Sequence, residues 1–218
     1  AQAAPSFSEL RSALSGDGLA QEQRFELITR AADRAPTVAD ALAVVRSHRG
    51  PLRGHLRAQS FALEGRILAL REDLAGGARA YAQAARAAPD AEARAAYRLE
   101  QATLLLETGD LGTAREIAVD VVASGRSAQI QRRAGLLTAR ADAAAGRLEA
   151  AFDQASRLSE AAHAPTVLPE TLLFLHRVSR RLGRDEDAAR AGRLLEELYP
   201  GSPEALMLAG EGVAGRPR

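Results

Sequence analysis

The side chains that most often carry chemistry are sparse or poorly spaced in this chain. Its four histidines are His48, His55, His163 and His176. None forms an HExxH pair or has a second histidine three or four residues away, the spacing that puts two imidazoles on one helix face for a metal. His48 and His55 flank Gly50-Pro51 and read as solvated loop residues; His176 reads as a space-filler inside a helical hairpin. The chain has no Cys, which removes thiol nucleophiles, disulfides and thiolate metal sites. All 29 basic residues are Arg, so there is no Lys for a Schiff base or a phosphate loop. Carboxylates such as Glu149, Asp153, Asp185, Glu186 and Asp187 fall on the solvated side of amphipathic segments, whereas acid–base catalysis needs a pair converging in a pocket. Gly16-Asp17-Gly18 is a short turn and not a dinucleotide fingerprint. The sequence therefore predicts no catalytic constellation, no cofactor and no metal.

What remains is recognition. With 218 residues, 46% hydrophobic and 26% charged, the chain has the balance of a folded protein. A net charge of +1 argues against a dedicated nucleic-acid binder, which gathers excess positive charge to displace counterions from phosphates. No run of apolar residues is long enough to span a membrane. The opening Ala1-Gln2-Ala3-Ala4-Pro5 is small and polar in the manner of a segment following a signal-peptidase cut, which points to a periplasmic or exported protein. The absence of Cys suits export and cytoplasm equally.

The elements that must position any binding side chains repeat. Turn-like segments Arg71-Glu72-Asp73-Leu74, Thr108-Gly109-Asp110-Leu111, Ala145-Gly146-Arg147-Leu148 and Leu182-Gly183-Arg184-Asp185 recur at intervals of 37 residues. Five residues after their second members stand Gly77, Ala114, Ala151 and Ala188; seven before them stand Gly65, Ala102, Ala139 and His176. All but His176 are small, and residues this small let two helices of a hairpin approach closely. Between the turns the apolar residues keep helical spacing, as in Leu99, Ala102 and Leu106 before one turn and Leu111, Ala114, Ile117 and Val121 after it. Asp90, and Ser202 followed by Pro203, supply helix starts. Ser6-Phe7-Ser8-Glu9 is a capping-box pattern, with helices expected at about 7–14, 19–34 and 37–48.

This arrangement resembles the tetratricopeptide repeat family, whose units carry small residues at the eighth and twentieth positions. Gly65, Ala102 and Ala139 match the first and Gly77, Ala114, Ala151 and Ala188 the second, while His176 departs from the rule. The aromatic of the twenty-fourth position is matched only by Tyr81, and the proline of the thirty-second by Pro89 and Pro200. The resemblance covers about residues 55 to 213, with a period three residues longer than usual. It implies an all-α fold: a right-handed superhelical array of antiparallel helix hairpins, an α-solenoid. The expected organisation is an amino-terminal helical cap or degenerate repeat over 1–54, about four hairpins over 55–200, and a capping helix with a linker-like tail over 201–218.

The resemblance also implies a site. In this family the first helices of successive units line a concave groove, and their ninth positions here are Arg66, Thr103, Arg140 and Arg177. Arg133 and Arg180 fall on neighbouring lining positions, with Leu63, Leu99, Leu137, Leu173 and Phe174 as apolar company. Such a groove would suit a protein or peptide partner carrying Asp, Glu or a free carboxylate. The same Arg side chains would also serve merely to solvate an inner face, and the same apolar residues to form hairpin core. Chaperone-tail-binding members of the family clamp a terminal carboxylate with Asn, and this chain has no Asn.

The function expected is thus a non-catalytic scaffold, with exported arrays of this kind often serving envelope complexes or accompanying peptidoglycan-binding modules. The alternative is a self-assembling homo-oligomer paired through a last helix rich in apolar residues, Leu206, Met207 and Leu208.

Overall fold

A computed structural model describes residues 4–16, 18–160 and 167–214, with the side chains of 212–214 left aside. The expectations placed on Ala1-Gln2-Ala3, Asp17, His163 and the tail from Gly215 lie outside the described residues. Among the described residues every regular element is a helix. In chain order they are α1 (Phe7–Leu14), α2 (Gln21–Arg34), α3 (Val38–His48), α4 (Gly54–Ala69), α5 (Leu74–Ala87), α6 (Ala91–Glu107), α7 (Leu111–Ser124), α8 (Ala128–Ala144), α9 (Leu148–Glu160), α10 (Pro169–Arg181), α11 (Asp185–Leu198) and α12 (Pro203–Ala214). The chain forms two compact units: Ala1–Asp110 with Ser124–Arg126, and Leu111–Ala123 with Ser127–Arg218.

The 37-residue period has a backbone cause. The second helices α5, α7, α9 and α11 begin at 74, 111, 148 and 185, one period apart. Each is preceded by a residue in the left-handed conformation: Glu72 at φ 62, Gly109 at 84, Gly146 at 82 and Gly183 at 70. The next residue's N–H then reaches back to the carbonyl five residues before it, Asp73 to Leu68, Asp110 to Leu105, Arg147 to Asp142 and Arg184 to Ser179, at 2.9–3.1 Å. This is the Schellman closure, which satisfies the last carbonyls of a helix and turns the chain sharply. Glycine suits it because a Cβ is crowded at positive φ; Glu72 adopts the same conformation with a side chain.

Starts are set by caps where the sequence supplies them. Ser6 and Glu9 form a reciprocal capping box, and Thr37, Asp73, Asp90 and Ser127 each accept a backbone N–H of their helix's first turn. Ser202 does the same for α12 through Ala205 N–H at 3.1 Å, with Pro203 in the first turn.

In the first unit, Leu10, Leu14, Ile28, Val45, Leu52 and Leu63 are the buried core, so α1–α3 pack onto α4. Glu64, 8% exposed, is drawn into that junction by Arg46 at 2.7 Å and by Arg49 of the α3 end. Burial pushes the Glu64 carboxyl up, but the two guanidinium hydrogen bonds and charges outweigh it, and it titrates below its ordinary range. In the second unit, α8–α11 enclose Ala143, Ala151, Ala155, Leu175 and Val178, and α10–α12 enclose Leu172, Leu173, Leu195 and Ala205. Asp142, 4% exposed, ties α7 to the α8–α9 turn by accepting from Arg115 Nε and Arg147 Nε, both at 2.8 Å.

Candidate functional site

The first unit contains a pocket of about 430 Å³ open to solvent. Its walls come from helix faces spaced by three and four residues: Phe25 and Thr29 of α2, Gln59, Ala62, Leu63 and Arg66 of α4, and Ala96, Tyr97 and Glu100 of α6, with Tyr81 of α5 behind them. Gly65 is why Tyr81 can stand there. A Cβ on Gly65 would lie 2.9 Å from the tyrosine ring, so only the bare α4 backbone lets the ring lie against it. Burial is the main reason Tyr81 and Tyr97 titrate above their ordinary range; the Glu100 charge adds to this for Tyr81 and Arg66 opposes it. Both phenols are therefore neutral donors at physiological pH. The pocket offers three aromatic rings, phenolic hydroxyls and a guanidinium beside a carboxylate, which suits a side chain of a bound peptide.

The residues singled out from sequence separate into two groups. Arg66 is exposed on α4 and lines this pocket, as does Leu63, although Leu63 is 6% exposed and belongs largely to the core. Arg133 and Arg140 are exposed on α8. Arg177 and Arg180 are exposed on α10 and share a second pocket with Arg181 and Arg193, but Arg177 is already paired with Glu211 of α12 through Nε at 2.9 Å. The apolar expectation needs correction. Leu99, Leu137 and Leu173 are 2%, 4% and 5% exposed, and half-buried Phe174 packs on the core of Ala143, Ala151 and Leu175. Buried to this degree, the three leucines supply core and leave little surface for a partner.

Phe25, Tyr97 and Glu100 were not among the sequence candidates. A compositional signal marks the place: the chain has only three Tyr and five Phe, and three of these eight rings line one pocket. Among the described residues no group of three or more His, Cys, Asp or Glu could hold a metal. No described helix is long and apolar enough to cross a membrane.

No protein-family model and no curated protein matches the sequence. Solved structures do resemble it. BtubC from P. vanneervenii is 15% identical with a TM-score of 0.69, covering 98% of this chain and 91% of that one. PilW, described as a widely conserved type IV pilus biogenesis factor, is 17% identical with a TM-score of 0.63, covering 93% and 88%. YrrB, described as a TPR protein with an unusual peptide-binding site, is 15% identical with a TM-score of 0.59, covering 95% and 100%. At such identities the likeness is one of fold. Left-handed turns one period apart, small residues at the hairpin crossings and these neighbours agree: by fold, the chain is a tetratricopeptide-type helical repeat protein.

Proposed function

We propose that the protein is a non-catalytic scaffold that binds a protein or peptide partner through the inner faces of its first helices, with the first-unit pocket as an anchor. The observation that carries this reading is the convergence of α2, α4 and α6 on one pocket holding Phe25, Tyr81, Tyr97 and Arg66. Aromatic rings beside a guanidinium are the residue types that dominate binding energy at protein interfaces. The peptide-binding site named for YrrB supports the same use of the fold. The partner is a polypeptide and not a nucleic acid, because the chain carries only one net positive charge.

Affinity capture from host extract tests the proposal, with wild type set against folded Arg66→Glu and Tyr97→Ala variants. A partner retained by wild type and lost from both variants supports it. A partner list unchanged by either variant overturns the pocket assignment.

A finer reading is a place in a cell-envelope complex; that PilW, a type IV pilus biogenesis factor, shares the fold is in keeping with it. Fractionation of the tagged protein decides this, and recovery with cytoplasmic markers sinks it. A second reading, self-assembly, is favoured by α12, where Leu206 and Met207 are 65% and 54% exposed. It requires a mass that rises with concentration and falls back in a Leu206→Glu, Met207→Glu variant.

A further inference from the structure

The second pocket, about 730 Å³, lies in the second unit where α12 crosses α10 and α11. Arg177, Arg180 and Arg181 are three and four residues apart on α10 and so share a face; Arg193 and Glu196 present the facing side of α11. Gly192 and Leu208 form its floor, packed closely enough that a Cβ on Gly192 would stand 3.3 Å from the leucine.

The charges in this pocket are unbalanced. Four guanidiniums face the carboxylates of Glu196 and Glu211, and Glu211 is spent on Arg177, whose Nε and Nη2 both reach the same oxygen at 2.9 and 2.5 Å. Arg180, Arg181 and Arg193 have no ion-pair partner among the described residues. Like charges gathered around one pocket repel, and an anion arriving between them relieves that cost while gaining forked hydrogen bonds. Glu211 shows the form such an anion takes: a carboxylate carried on a helix laid across α10.

We infer that this pocket is a second partner-binding surface, taking an acidic polypeptide segment. Asp or Glu side chains of the segment pair with Arg180, Arg181 and Arg193, and its apolar flank rests on Leu208. A nucleic-acid strand fits less well. Among the described residues no Phe or Tyr lines the pocket for bases to stack on, and Glu196 and Glu211 interrupt the positive surface that a continuous phosphate chain requires. Side-chain carboxylates placed at intervals avoid those two glutamates.

The test uses the whole chain and fluorescence anisotropy. The probe is a short fluorescein-labelled helical peptide with glutamates on one face and leucines on the other. A peptide with glutamine replacing glutamate and a labelled single-stranded oligonucleotide are the controls. The glutamate peptide should bind, and the glutamine peptide should bind roughly tenfold more weakly or not at all. An Arg180→Glu, Arg193→Glu variant should lose about as much, with its helical circular dichroism unchanged because both side chains are exposed. Glu211→Gln frees Arg177 and should tighten binding severalfold. Arg94→Glu, at an exposed arginine of α6 that lines neither pocket, should leave the affinity unaltered. Binding that survives Arg180→Glu, Arg193→Glu, or that is abolished by Arg94→Glu instead, overturns the assignment. Tighter binding of the oligonucleotide than of the glutamate peptide overturns the choice of partner, as weaker binding by Glu211→Gln overturns the role given to that residue.

Discussion

Where α4 meets α5, Gly65 stands on the first helix and Tyr81 lies against it from the second; where α10 meets α11, the same two repeat positions hold His176 and Gly192. The large and small members have changed sides. In the first hairpin the two backbones nearly touch: a Cβ on Gly77 would lie 3.1 Å from the Gly65 carbonyl oxygen and 2.8 Å from Leu104 Cδ1. In the last, the imidazole fills the space and bonds across it, Nδ1 to the Ala188 carbonyl at 2.9 Å, while Gly192 leaves room for it at 3.4 Å from a would-be Cβ. The crossing between α8 and α9 uses a small residue on both sides, Ala139 and Ala155, each 0% exposed. The repeat thus constrains the volume shared by two helices more than the residue at either position.

Four experiments probe how the two hairpins differ. The greatest cost is expected from Gly65→Val, which drives a branched side chain into both the Tyr81 ring and the Gly77 backbone; urea unfolding should show a loss of about 3 kcal/mol. Gly192→Tyr should cost about 2 kcal/mol by displacing His176, and a Gly192→Tyr, His176→Gly chain, which rebuilds the first hairpin's arrangement, should recover a large part of it. Additive losses in that double variant would mean the two positions are not one packing unit.

The turns give the next largest difference. Glu72→Gly should raise the urea midpoint, gaining roughly 1 kcal/mol as left-handed strain is relieved, whereas Gly183→Ala should lose about as much at the equivalent place. Last comes acid sensitivity. Glu64 has its counterpart in Leu175 of α10, so the two hairpins differ in a buried carboxylate at this position; the second unit's buried carboxylate is Asp142 of α8. Because Glu64's folded pKa lies below the ordinary 4.5, its contribution is present above that pH and disappears as pH falls through the depressed value. Glu64→Gln should therefore flatten the acid limb of a stability–pH profile while costing stability near neutrality. An acid limb unaffected by the substitution would assign the sensitivity elsewhere.

Much of the fold was readable because its signals are local. Turns at 72, 109, 146 and 183 are marked by three glycines, and helices expected at 7–14, 19–34 and 37–48 appear at 7–14, 21–34 and 38–48. His176 departs from the small-residue rule, and its own sequence position gives no hint that the compensation lies sixteen residues on at Gly192. The residues of the candidate site were less legible. Arg66 lines a pocket, but its aromatic neighbours Phe25 and Tyr97 come from helices that start 33 residues before and 37 after α4, so no single spacing links them. Leu99, Leu137 and Leu173 carried the right periodicity for a lining face and proved to be core, since periodicity gives the side of a helix and not what covers it.

Helix, turn and period follow from the amino-acid order alone, because backbone conformation at glycine, capping at Ser, Thr and Asp, and the 3.6-residue spacing of apolar side chains all act within a few residues. Which arginines are spent on internal carboxylates, as Arg46 and Arg49 are on Glu64 and Arg177 is on Glu211, and which, like Arg180 and Arg193, have no ion-pair partner among the described residues, is settled by the packing of the helices. Pairing and exposure depend on what another helix brings across a gap of a few ångströms, and that distance is not written in the spacing along one chain.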